Sequence, residues 1–195
     1  MRLFVGLDID EGIRNRIARF LEGVREFSPD ARWVRPESLH VTLKFIGEQS
    51  EDQTEKIKRQ LETVAANSFD VSFRGYGFFP GVRAPRVFWV GIEATPALSA
   101  LASLVDENVA RLGVPKEEHA FTPHLTLART AGGSGSPRRQ KHDRPNRSFQ
   151  RLQEKLAALG APEFGTMTAR EFFLYQSQTS PGGARYTKLA PFVLR

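Results

Sequence analysis

Apolar positions along the chain switch between a continuous or alternating pattern and a three-to-four spacing, and the switches outline strands and amphipathic helices in turn. Leu3 to Asp8 is a short apolar run that predicts a buried strand. Ile13, Ile17, Phe20, Leu21 and Val24 then recur on one helical face, with Asp10 placed as N-cap. Leu39 to Ile46 reads as strand. Ser50 and Gln53 form a capping-box pattern ahead of Ile57, Leu61 and Val64. Phe69 to Phe79 predicts a strand that ends in a turn through Pro80, Gly81 and Pro85.

From that point the order begins again. Phe88-Trp89-Val90-Gly91-Ile92-Glu93 echoes Leu3-Phe4-Val5-Gly6-Leu7-Asp8 at an offset of 85. Thr95 and Pro96 open a helix as N-cap and first-turn proline, with Leu98, Leu101, Val105, Val109 and Leu112 facing inward. A strand from Ala120 to Arg129, a helix from about Ser148 to Leu159, and strands Thr168 to Gln176 and Arg185 to Val193 complete the chain. The pattern predicts an α+β fold: one bilobed domain over 1–195, built by internal duplication of about 1–84 and 85–195. Short turns join several strands, so the two pseudo-symmetric lobes should carry mixed or antiparallel sheets, helices outside and a cleft between them. Elements are free to cross between lobes.

Composition narrows the chemistry. The chain has 195 residues, 40% hydrophobic and 26% charged, with no cysteine. That excludes wholesale disorder, a disulfide framework, a thiolate nucleophile and Cys-based metal sites. No apolar run approaches the length that spans a bilayer, and MRLFVGLDIDEG has no secretory pattern, so a cytoplasmic protein without a membrane partner is expected. The net charge of +6 is uneven: 131–147 holds Arg138, Arg139, Lys141, Arg144 and Arg147 against Asp143 alone. Its Gly, Ser and Pro content reads as a surface loop. Composition leaves open whether that loop is merely solvated or attracts phosphates.

The residues that carry chemistry lie inside the repeat. His40-Val41-Thr42-Leu43 and His124-Leu125-Thr126-Leu127 share the pattern His-x-Thr-Leu at an offset of 84, close to that of the Val-Gly pair. On a strand, residues two apart point to one face, so each His and its Thr should project together. A pseudo-two-fold would then bring both pairs to a single cleft. Two imidazoles for proton transfer and two hydroxyls for hydrogen bonds suit a phosphate. Neither histidine belongs to a metal-binding spacing, and no Walker-type glycine loop occurs, so no metal and no cofactor is expected. His119 and His142 have no such pairing.

The doubled motif, Phe45 after the first copy and Thr122-Pro123-His124-Leu125-Thr126-Leu127-Ala128-Arg129 around the second, resembles the two-histidine phosphoesterases. The likeness extends through Arg2-Leu3-Phe4-Val5-Gly6, Arg86-Val87-Phe88-Trp89-Val90-Gly91, Leu174-Tyr175-Gln176-Ser177 and Arg185-Tyr186. Within that superfamily it points to the RNA 2′,3′-cyclic phosphodiesterase branch, historically called 2′-5′ RNA ligases. The resemblance implies metal-free opening of a 2′,3′-cyclic phosphate at an RNA end or in a cyclic nucleotide, leaving a 2′-phosphate. It implies His40 as proton donor, His124 as proton acceptor, and Thr42 and Thr126 on the non-bridging oxygens. Arg129 and Phe45 are candidate substrate contacts, although strict alternation puts both on the face opposite their histidine; a strand end or bulge would let Arg129 reach the phosphate, and for Phe45 a core role stands beside base stacking. ATP-independent 2′-5′ ligation and a non-catalytic RNA- or nucleotide-binding module are the alternatives. A monomer is expected.

Overall fold

A computed structural model describes residues 1–131, 141, 144–180 and 183–195. Arg138, Arg139 and Asp143 of the basic segment, and His142 with them, lie outside the described residues. The elements run β1 (Arg2–Leu7), α1 (Glu11–Val24), β2 (Arg32–Trp33), β3 (Val41–Glu48), α2 (Glu51–Leu61), β4 (Phe69–Phe79), β5 (Val87–Ala94), α3 (Pro96–Ala110), β6 (His124–Arg129), α4 (Gln150–Leu159), β7 (Glu163–Ala169), β8 (Glu171–Ser180) and β9 (Gly183–Val193). They form two sheets, ordered β3-β1-β8-β9 and β2-β6-β5-β4-β7. Every pairing is antiparallel.

The lobes exchange material. β8 and β9, late in the sequence, complete the sheet begun by β1 and β3, while β4 joins the second sheet. The predicted single strand from Thr168 to Gln176 is therefore two strands in different sheets, parted at Arg170. The predicted strand from Ala120 starts only at His124, because Pro123 has no N–H to give to a ladder. β2 has no signature in the sequence, since two residues carry no period.

One continuous core joins the sheets and helices, with Leu3, Val5 and Leu7 of β1 packed with Ile13, Ile17 and Leu21 of α1, Ile57 and Leu61 of α2, and Leu101 and Val105 of α3. Asp10 and Thr95 occupy the N-cap positions without a side-chain cap bond. Ser50 does accept from the Gln53 N–H at 3.2 Å, but the Gln53 side chain donates to the Leu112 carbonyl instead of closing the box. No helix among the described residues is long and apolar enough to cross a membrane.

The opposite face of the first sheet is also apolar. Phe4, Phe173 and Tyr175, with Tyr186 against them, form a small aromatic cluster apart from the main core. A sheet with two apolar faces needs something over both. The main core covers one, and the aromatic cluster lies on the other, beside His40.

Candidate active site

The motif strands β3 and β6 lie against each other where the two sheets meet. Each histidine is held in the same way. His40 Nδ1 is 2.8 Å from the Ser38 carbonyl, and His124 Nδ1 is 2.8 Å from the Thr122 carbonyl, two residues back in both cases. A carbonyl oxygen only accepts, so Nδ1 carries the proton and Nε2 is left to exchange one. The His40 ring sits 4.7 Å from Phe4 and 4.9 Å, edge-on, from Tyr186; the His124 ring meets Phe79 edge-on at 4.9 Å. Gly6 makes room for the first arrangement. A Cβ there would lie 2.8 Å from the Val41 carbonyl and 3.6 Å from the His40 ring.

The registers explain how residues at odd spacing reach the same face. Thr42 faces Gly6 and Phe45 faces Phe4, with the register slipping by one residue between them. The extra residue, Leu43, restores the parity that strict alternation denies Phe45. In β6, Thr126 faces Trp89 and Arg129 faces Val87, with the same slip at Leu127. Cross-strand partners share a face, so Thr42 and Phe45 stand together, as do His124, Thr126 and Arg129. Phe45 and Arg129 occupy the same position, five residues after their histidine. One lobe thus offers an aromatic ring, 58% exposed, where the other offers a guanidinium.

Burial dominates the electrostatics of both histidines. Burial lowers the His40 pKa to about 4; the Ser38 hydrogen bond and the Asp8 charge oppose this, while Arg129 and His124 add to it. Burial and the Arg129 charge also hold His124 below its ordinary value against the Thr122 hydrogen bond. The two imidazoles and Arg129 are therefore close enough to feel one another's charge. Arg129 is itself lowered by burial, and its Nε is buried with no hydrogen-bond partner among the described residues.

Behind His40 lies a polar network whose parts belong to no motif. Arg14 of α1 donates to the Pro36 carbonyl at 2.5 Å and, more weakly, to Leu39 at 3.5 Å, so it grips the turn that presents the Ser38 carbonyl to His40. Asp8 accepts from Arg14 at 2.5 Å and from Lys188 at 2.5 Å. Burial would raise the Asp8 pKa, but Lys188 and Arg14 outweigh it and keep the carboxyl ionised. A pocket of about 430 Å³ opens here, lined by Asp8, Arg14, His40, Tyr175, Tyr186 and Lys188 among others. On the core side of β3, Lys44 faces Val5 and is buried. Its Nζ lies 2.6 Å from Asp106 of α3 and donates to the Pro115 carbonyl at 2.8 Å, tying the first motif strand to the chain that leads into the second. Among the described residues no group of His, Asp and Glu could hold a metal ion.

The duplicated α+β fold thus brings the two His-x-Thr-Leu strands together, with Arg129 close enough to both imidazoles for its charge to act on them. Comparison with known proteins gives the family. A family model described as LigT like Phosphoesterase matches twice, over residues 7–89 and 90–186, one copy per repeat. An RNA 2′,3′-cyclic phosphodiesterase of Archaeoglobus fulgidus is 33% identical over 192 residues, 98% of this chain and 99% of the relative. One from Methanothermobacter thermautotrophicus is 31% identical over 196 residues, 100% and 99% of the two chains. Escherichia coli LigT, solved in complex with 3′-AMP, superposes with a TM-score of 0.74 at 26% identity, covering 99% of this chain and 97% of its own. A Thermus thermophilus structure gives a TM-score of 0.76 at 27% identity, covering 100% and 98%. The chain belongs to the LigT-like phosphoesterase family.

Proposed function

We propose that the protein is an RNA 2′,3′-cyclic phosphodiesterase that opens the cyclic phosphate to a 2′-phosphate by paired imidazole catalysis. The observation that carries this reading is the matched pair of histidines, each with Nδ1 tied to the carbonyl two residues back and Nε2 without a hydrogen bond among the described residues. Water attacks phosphorus as the 3′-oxygen leaves. His124 takes the proton from water and His40 returns one to the leaving oxygen, so the enzyme ends each turnover one exchange away from its starting state. Asp8 supports this polarity, since its negative charge favours a protonated His40 and no carboxylate counts among the influences on His124. Thr42 and Thr126 stand beside the imidazoles to hydrogen-bond the non-bridging oxygens, and Arg129 supplies the neutralising charge. Phe45 is the exposed ring on which a base can stack.

His40→Ala and His124→Ala are each expected to lower turnover of a 2′,3′-cyclic mononucleotide by ~10²–10⁴, the usual worth of a general acid or base. Both variants should still bind a nucleoside 2′-monophosphate, which reports an intact cleft. Near wild-type turnover in either variant overturns the mechanism.

A further inference from the structure

The arginine end of the cleft holds more positive charge than one cyclic phosphate requires. Arg32 of β2 lies directly opposite Arg129 of β6, so the two share a face. Like charges placed directly opposite on neighbouring strands are destabilising unless an anion comes between them. Trp33 turns the other way, packing edge-on to Phe88 of the core at 6.0 Å and donating from its indole to the Ser28 carbonyl at 3.0 Å. The Val34 N–H adds a bond to the Leu127 carbonyl at 2.8 Å, at the bulge itself. This two-residue strand is thus pinned on its core side while Arg32 stays exposed. Its guanidinium donates to the Thr130 carbonyl at 3.2 Å.

Arg2 approaches from the other sheet. It lies two residues before Phe4 on the same face of β1, and its charge, like that of Arg32, acts on Arg129. Glu48, opposite Arg2, turns to the N-terminal amine at 3.5 Å. Among the described residues no carboxylate forms an ion pair with Arg2, Arg32 or Arg129. Arg2 and Arg32, from two other strands, thus both bear on Arg129, and among the described residues no carboxylate pairs with any of the three.

We infer that Arg32 and Arg2 form a second phosphate subsite that receives the 5′-phosphate of the nucleotide carrying the cyclic end, with Arg129 between the two anions. The inference rests on the phosphodiesterase reading of the cleft. Its spacing comes from the sheet: the Arg129–Arg32 row lies two pleats beyond the Thr126 row, about 6–7 Å along the strand. That is the order of separation between adjacent phosphates on a nucleic-acid strand. It also gives the cleft a direction, with the cyclic end at the histidines and the upstream backbone leaving past Arg32.

Three substrates test this: a cyclic mononucleotide with a free 5′-hydroxyl, the same nucleotide with a 5′-phosphate, and a dinucleotide with the same cyclic end. Wild-type kcat/KM should favour both phosphate-bearing substrates over the first. In Arg32→Gln, and separately in Arg2→Gln, that preference ratio should fall about tenfold, chiefly through KM. The salt dependence of dinucleotide binding should flatten by roughly 0.7 in log–log slope for each phosphate that is no longer neutralised. Turnover of the first substrate checks that each variant is folded. A ratio unchanged in both variants, or a wild-type preference confined to the dinucleotide, overturns the subsite. No wild-type turnover of any of the three instead overturns the phosphodiesterase reading.

Discussion

The depressed pKa of His40 has a direct consequence for substrate binding. With a pKa of about 4, only about one free molecule in a thousand carries a protonated His40 at pH 7. A proton donor must hold that proton when the substrate is in place. Restoring it requires a shift of about three units, or about 4 kcal/mol. A single negative charge about 4 Å from the imidazole, at an effective dielectric of about 20, supplies about 4 kcal/mol. One phosphate charge is therefore sufficient, and binding should bring a proton with it. Between pH 4 and 7 the bound state holds one more proton than the free state. Anion affinity should accordingly fall about tenfold per pH unit as pH rises through that window. Titration of the His40 ring by NMR, with and without saturating sulfate, measures the effect directly, because sulfate keeps its charge throughout. The His40 midpoint should rise from about 4 to near 7. A midpoint that stays near 4 while the His124 resonances report bound sulfate would show that the anion does not protonate the donor.

Three other perturbations follow from particular contacts. Arg14→Gln releases the turn that holds the Ser38 carbonyl against His40, so kcat should fall about tenfold with little change in KM, and Arg14→Lys should recover part of the loss. Gly77→Ala would place a Cβ 2.1 Å from the Trp89 ring, and thermal unfolding should register an overpacking cost of about 1–3 kcal/mol. Lys44→Met removes the buried partner of Asp106 and should destabilise the fold by about 3 kcal/mol in urea, because it breaks a buried ion pair from one side only.

The parts of this fold legible in the sequence are those whose signal is local. The strand Leu3–Asp8, the helical faces around Ile17 and Val105, and the His-x-Thr-Leu pairs all rest on spacing within a dozen residues. The bulges at Leu43 and Leu127 leave no such trace, since a slipped register is a property of two strands and not of one. Alternation alone therefore misplaces Phe45 and Arg129. The division of β7 from β8 is equally non-local: Ala169 and Glu171 are two residues apart yet enter different sheets, each chosen by its distant partners. Arg14 and Asp8 carry no motif because their role depends on a turn that comes more than twenty residues later. Arg185-Tyr186 is legible as part of the family likeness, but its place beside His40 comes from β9 crossing to the first sheet.

Whether two imidazoles open a cyclic phosphate without a metal is decided by the product. Incubation of the purified protein with a 2′,3′-cyclic mononucleotide in excess EDTA, with the nucleotide isomers resolved by chromatography, should yield the 2′-monophosphate alone and at an undiminished rate. Accumulation of the 3′-isomer, or activity lost in EDTA and restored by a divalent metal, would contradict that mechanism.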